Sequence, residues 1–143
     1  MDNDTISLLQ ECSAGVNMAV SAIDQVLEGV RSPALRDALT ASRRTHDRLG
    51  RETRALLHER GHEGKAANPM AQSMSWMKTN WKLGIHPGDE TVADLIVDGC
   101  NMGVKSLTRY QNRYPAANGQ AKSIAGQLID AEEQLSAELR PYL

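Results

Sequence analysis

Apolar residues recur at intervals of three and four through most of the chain. Leu9, Cys12, Val16, Ala19, Val20, Ile23, Leu27 and Val30 follow that spacing. It places them on one face of an α-helix, and the two-residue period of a strand does not produce it. The same rhythm returns in Leu35, Leu39, Ser42, Thr45, Leu49 and Leu56, and in Ala93, Ile96, Val97, Cys100, Val104, Leu107 and Tyr114. It returns again in Ile124, Leu128, Ala131, Leu135, Leu139 and Tyr142. Prolines and cap residues separate these blocks. Ser32-Pro33 and Asn68-Pro69 each read as an N-cap followed by Pro at the first helical position, where its missing N–H does no harm. Gly29, Gly61 and Gly84 suit helix ends, the last two close behind Arg60 and Lys82, which favour the negative pole of the dipole. Pro87-Gly88-Asp89 opens a block and Tyr114-Pro115 closes it. The pattern predicts helices over Asp4–Glu28, Ser32–Arg60, Asp89–Arg113 and Asn118–Arg140. Four amphipathic helices of that length make an all-α, antiparallel four-helix bundle in one domain, with hairpins over 4–60 and 89–140.

The connection from Gly61 to Gly88 is too long for a simple turn. Within it Met70, Met74, Met77 and Trp81 fall at i, i+4, i+7 and i+11, which predicts a further short helix over Pro69–Leu83. Half of the six methionines and both tryptophans lie in this crossover. Two readings stand: a lid helix covering the bundle, or an adaptable Met/Trp surface that docks a partner or a second copy, with Trp76 on the outer side.

The two hairpins repeat one another. GVNMAV at 15–20 matches GCNMGV at 99–104 at an offset of 84 residues, and the apolar stripes of helices 1 and 3 coincide in that register. Helices 2 and 4 align at an offset of 86, pairing Leu49 with Leu135, Glu52 with Glu138 and Arg54 with Arg140. Two concordant registers predict a pseudo-twofold relation between the hairpins.

Composition narrows the class. Of 143 residues, 41% are hydrophobic and 24% charged with a net charge of −2, which fits a globular chain and excludes a disordered one. No Phe, two Trp and three Tyr are poor material for a β-sandwich or barrel. No apolar run approaches the roughly 18 residues of a membrane span. The acidic start, MDNDTISLLQECS, lacks the basic region of a secretory signal, so the expected location is the cytoplasm. Cys12 and Cys100 lack zinc-site spacing and sit among small apolar residues, which predicts buried free thiols rather than a disulfide or redox pair. Charge divides the first hairpin: residues 1–30 hold five acids and no Lys or Arg, whereas residues 31–65 hold nine bases against five acids. An acidic helix beside a basic one explains this. A nucleic-acid face on Arg43, Arg44, Arg48, Arg51 and Arg54 lacks interleaved aromatics and a basic overall charge, so no nucleic-acid partner is expected.

Two equivalent hairpins joined by a long crossover resemble the ferritin-like four-helix bundles, especially small bacterial members similar to spore-coat proteins. NPMAQSMSWMKTNWKL and DGCNMG also look like segments of an uncharacterised bacterial family. The resemblance implies a bundle with an ancestral di-metal site. Ferritin-like di-iron proteins place a Glu on each of two helices and Glu-x-x-His on the other two. Glu11, Asp24, Asp94 and Asp98 lie off the apolar stripes, no Glu precedes His46 or His58 by three residues, and helix 4 has no His, so the motif does not carry over. A weaker set remains: His46 and Glu52 near the inner face of helix 2, with Glu132 and Glu138 as their repeat mates on helix 4. These four either hold a metal, iron or manganese, or form a polar layer of His–Glu and Arg–Glu contacts with Arg51 or Arg54. Asn17 and Asn101 read as helix-surface or interhelix hydrogen-bonding groups. His58, His62 and His86 lie near helix ends and loops. Ser13, Ser42 and Thr45 have no nearby His/Asp pattern, and Gly61-x-x-Gly64 is not a phosphate loop, so no catalytic residue is assigned. The leading expectation is a non-enzymatic bundle that needs no cofactor. It acts as a homo-oligomer, most simply a dimer, or by binding a protein partner through Met70, Met74, Trp76, Met77 and Trp81. The alternative is a metal-binding or redox protein using His46, Glu52, Glu132 and Glu138.

Overall fold

A computed structural model of the chain describes residues 2–65 and 88–143. Four long helices occupy them: α1 (Asp2–Val26), α2 (Pro33–Glu59), α3 (Asp89–Arg113) and α4 (Gly119–Leu139). The expected boundaries differ by a few residues. α1 tightens into a 3-10 turn over Leu27–Gly29, and a second such turn, Arg140–Tyr142, follows α4. Caps set these limits. The Ser32 hydroxyl accepts from Leu35 N, with Pro33 at the first helical position, and Asn118 Oδ1 accepts from Ala121 N. Gly61, with φ of 72°, supplies the left-handed residue after α2 and returns its N–H to His58 O. The predicted helix over Pro69–Leu83, with Met70, Met74, Trp76, Met77 and Trp81, lies outside the described residues.

Hydrogen bonds between the turns and the helix starts fix the chain directions. Asp89, opening α3, accepts the backbone N–H groups of Arg31 and Ser32 at 2.8 and 3.1 Å. At the other end Asp4 and Thr5, opening α1, accept those of Ala116 and Asn118 at 3.0 and 2.9 Å. So α1 and α4 run one way, and α2 and α3 the other. α1 and α4 each pack against both α2 and α3, and also touch each other across the shorter diagonal. Every side of this rhombus is therefore an antiparallel pair. The described chain leaves at Lys65, beside the N-terminal half of α1, and re-enters at Gly88 next to the α1–α2 turn.

Burial reproduces most of the apolar stripes, with one change of phase. On α2 the buried residues are Leu35, Leu39, His46, Leu49, Gly50, Thr53 and Leu57. Thr45 and Leu56, expected on the inner face, are only half-buried. Leu57 takes the inward place because it follows His46 by eleven residues and Thr53 by four, which puts it on their buried face, whereas Leu56 falls to one side of it. Two apolar clusters result. The upper one, at the α1–α2 turn, contains Ile23, Val26, Val30, Leu35, Leu39, Val92, Ile96, Leu135 and Leu139. The lower one contains Leu8, Leu9, Cys12, Val16, Leu49, Leu57, Leu107, Ile124 and Leu128. Within the lower cluster α1 and α2 approach so closely that a side chain at Gly50 would meet Val16 Cγ1 at 2.8 Å.

The acidic–basic pairing of the first two helices is real but small in extent. Arg43 of α2 bonds Asp24 of α1 through Nε and Nη2 at 2.6 and 3.0 Å, and also reaches Asp47. The hydrogen bond from Arg43 holds the Asp24 carboxyl below its usual range. Both side chains are partly exposed, so the pair contributes little to stability.

Candidate functional site

Between the two apolar clusters the interior turns polar. His46 follows Leu39 by seven residues on α2, and Glu132 follows Ala125 by seven on α4, so each occupies an interior position of its helix. They meet across the α2–α4 seam. His46 Nε2 lies 2.8 Å from Glu132 Oε1, with His46 only 1% and Glu132 8% exposed. The other ring nitrogen, Nδ1, lies 2.8 Å from the Ser42 carbonyl oxygen one turn earlier and 3.3 Å from the Ser42 hydroxyl. Burial works against a charged His46, but the hydrogen bond and charge of Glu132 outweigh it, and the ring is held above the ordinary histidine range.

α3 completes the surroundings of Glu132. Gly103 leaves space there, since a Cβ on it would lie 3.4 Å from Glu132 Cδ. The Cys100 thiol interacts with the same carboxylate. Burial, then the charge and hydrogen bond of Glu132, push this thiol well up from its usual value. Cys12 is pushed up to about 12, by burial first and then by the charge of Glu11. Both cysteines are buried free thiols, and neither environment favours the thiolate needed for nucleophilic or redox chemistry.

Only two of the four metal-ligand candidates come together. Glu52 is exposed and bonds Arg48 at 3.2 Å, while Glu138 is exposed and accepts from Gln134 at 3.0 Å. Arg51 and Arg54 also lie exposed, away from the polar layer proposed for them. Both nitrogens of His46 are occupied, one by a backbone carbonyl and one by Glu132. The donor set therefore does not fit iron or manganese, and among the described residues no group of three or more His, Cys, Asp or Glu side chains is arranged to hold a metal. Of the carboxylates set aside for lying off the stripes, Asp94 and Asp98 are exposed, as is Asp24 in its ion pair, whereas Glu11 is half-buried in its bond to Lys65.

A second polar cluster lies where the chain leaves α2. Lys65 Nζ bonds Glu11 Oε1 at 2.6 Å, and Asn17 donates to the Lys65 carbonyl at 3.3 Å. Asn17 is thus a surface hydrogen-bonding group, and Asn101 is exposed. The Tyr110 hydroxyl is held above its usual range by burial and then by Glu11. Its ring stacks on Tyr114 with centroids 6.4 Å apart, and Arg113 lies 5.6 Å over it. Ser13 Oγ is buried there, with no hydrogen-bond partner among the described residues, beneath the backbone of Gly64. On the α2–α4 seam lies a groove of about 220 Å³, lined by small residues including Ala38, Ala41, Ser42 and Ala131 and by the charged Arg48, Asp130 and Glu138.

The seven-residue spacings 39–46–53 and 125–132–139 carry the signal for a His–Glu contact. The part played by Cys100 and Gly103 has no such signal, because it depends on where α3 lies against α4. No helix among the described residues is long and apolar enough to cross a membrane. Comparison with protein-family models, curated proteins and solved structures finds no match to this chain.

Proposed function

We propose that this chain is a ferritin-like bundle of two equivalent hairpins, without a working di-metal centre, that acts by associating with a second copy or a protein partner. The observation that carries the reading is the closed His46–Glu132 pair: side chains at the ligand-bearing level of helices 2 and 4 bond each other and a backbone carbonyl instead of converging on a cation. The hairpin equivalence is supported by matching interactions at both ends. Ser32 N donates to Asp89, and its mate at an offset of 86, Asn118 N, donates to Thr5, which is the mate of Asp89 at an offset of 84. Leu8, Leu9, Cys12, Val16 and Ile23 are all buried, as are Val92, Ala93, Ile96, Cys100 and Leu107, 84 residues on.

Association draws on the Met/Trp stretch. Among the described residues only Met102 and Leu143 are large apolar side chains that stand exposed, so their surface offers no apolar patch of interface size. Met70, Met74, Trp76, Met77 and Trp81 supply the polarizable and aromatic area that interfaces favour. Sedimentation equilibrium on the wild type and on Trp76→Ala, with circular dichroism alongside, tests this. Self-association that weakens in the variant at unchanged helicity supports the reading. A monomer at every concentration, with both tryptophans shielded from acrylamide, makes the stretch part of the core and overturns it. Stoichiometric iron or manganese that is lost on Glu52→Ala/Glu138→Ala substitution overturns the metal-free half.

A further inference from the structure

We infer that the α2–α4 seam is closed by a proton, taken up on folding and held between His46 and Glu132, and that the bundle loosens along this seam as that proton is lost at alkaline pH. The geometry requires the proton. A backbone carbonyl only accepts, so His46 Nδ1, 2.8 Å from Ser42 O, carries a hydrogen. Nε2 and Glu132 Oε1, 2.8 Å apart, need one more hydrogen between them. Together the two side chains hold one proton more than a neutral imidazole plus a carboxylate. In the unfolded chain, with ordinary values of about 6.5 for His and 4.3 for Glu, that is the state they adopt above neutral pH.

The surroundings favour retention. On α2 the negative charge of Asp47 favours a cationic ring. α4 contributes Glu132 itself, and α3 the neutral Cys100 thiol facing Glu132. α1 contributes Asp24, which shares Arg43 with Asp47 on the outer surface. Burial alone opposes the charge. Once the proton leaves, the Nε2 lone pair and the Glu132 carboxylate face each other as two acceptors between two apolar clusters. Relief then comes from opening the seam to water along the groove that Ser42 lines.

The sign follows from linkage. His46 has a raised folded value, so its contribution is complete below about pH 6.5 and is lost as pH rises through the folded value. Cys12 and Cys100, also raised, add a separate loss only once unfolded thiols ionise, above about pH 8.5. The window from pH 6.5 to 8 therefore isolates the pair. The experiment is urea unfolding across that window, with calorimetric proton uptake at pH 7.5 measured in buffers of different ionisation enthalpy. For wild type the folding constant should fall by up to about tenfold per pH unit, with uptake approaching one proton per chain. Glu132→Gln should reverse the dependence. Its amide donates to Nε2 of a neutral ring, so the variant is flat above pH 7 and loses stability below about pH 6.5, where the unfolded imidazole protonates. Wild-type stability that is level from pH 6.5 to 8, with no proton uptake, overturns the inference. If Glu132→Gln does not fold, the wild-type uptake decides alone.

Discussion

The upper and lower halves of the bundle reach the same end by different means. The upper cluster is rich in β-branched residues, Ile23, Val26, Val30, Val92 and Ile96, and one side chain, Asp89, ties its turn by accepting two backbone N–H groups. The lower cluster relies on Leu and Ala, among them Leu8, Leu9, Leu49, Leu57, Ala121 and Leu128. Two residues, Asp4 and Thr5, divide the tie to its turn. Apolar packing is non-directional, so either set of side chains fills its half. In neither half does the apolar packing alone distinguish its own register from one shifted by a heptad. The layer between them does, because His46 satisfies its bonds only opposite Glu132.

The largest expected effect tests whether the halves form one unit. Leu39→Ala above the layer and Leu49→Ala below it should each cost about 2–5 kcal/mol, since both side chains are fully buried. Chemical denaturation should show a single transition with an unchanged m-value in each variant. Two separated transitions in one of them would mean that the halves unfold independently and that the polar layer is a boundary rather than a bond.

A smaller effect contrasts two glycines of the first hairpin. Gly50→Ala places a methyl group 2.8 Å from Val16 Cγ1, and should cost about 1–3 kcal/mol by overpacking the crossing of α1 and α2. At Gly15 a Cβ meets nothing within 4 Å. Gly15→Ala should therefore raise stability by about 0.5–1 kcal/mol through helix propensity alone. Thermal melts of the two variants should move in opposite directions.

The smallest effect compares the ties at the two ends. Asp89→Ala removes the acceptor for Arg31 N and Ser32 N, and Thr5→Val removes that for Asn118 N. At about 1 kcal/mol per hydrogen bond the first should cost roughly twice the second. Amide exchange should quicken at the upper turn in one variant and at the lower turn in the other. Equal effects at both ends would make the ties incidental to the closing of the turns.

Much of this was legible along the chain. Ser32-Pro33 and Asn118 mark helix starts through local cap chemistry, and three-and-four spacing marks the faces, so α2, α3 and α4 begin and end within about a residue of their expected limits. Glu52 and Glu138 show where periodicity stops informing. Each lies near the inner face when a helix is considered alone, yet both stand in water. A small rotation about the helix axis decides whether a flanking residue points into the bundle. The same rotation brings Leu57 inside in place of Leu56.

Local sequence is enough to make the described chain helical, to set the limits of α2, α3 and α4 to about a residue and those of α1 to about two, and to mark the residues apolar enough for its core. Those properties depend on neighbours within one or two turns. Which polar residues share the interior depends on how the helices pack. Helices 2 and 4 are joined through contacts 86 residues apart, and the separation of α2 from α4 and the placing of α3 beside both set the distances among His46, Glu132, Cys100 and Gly103. A histidine and a glutamate at heptad positions of two helices are a pair of candidates. Packing at 2.8 Å in an apolar surrounding makes them a bond that requires a proton.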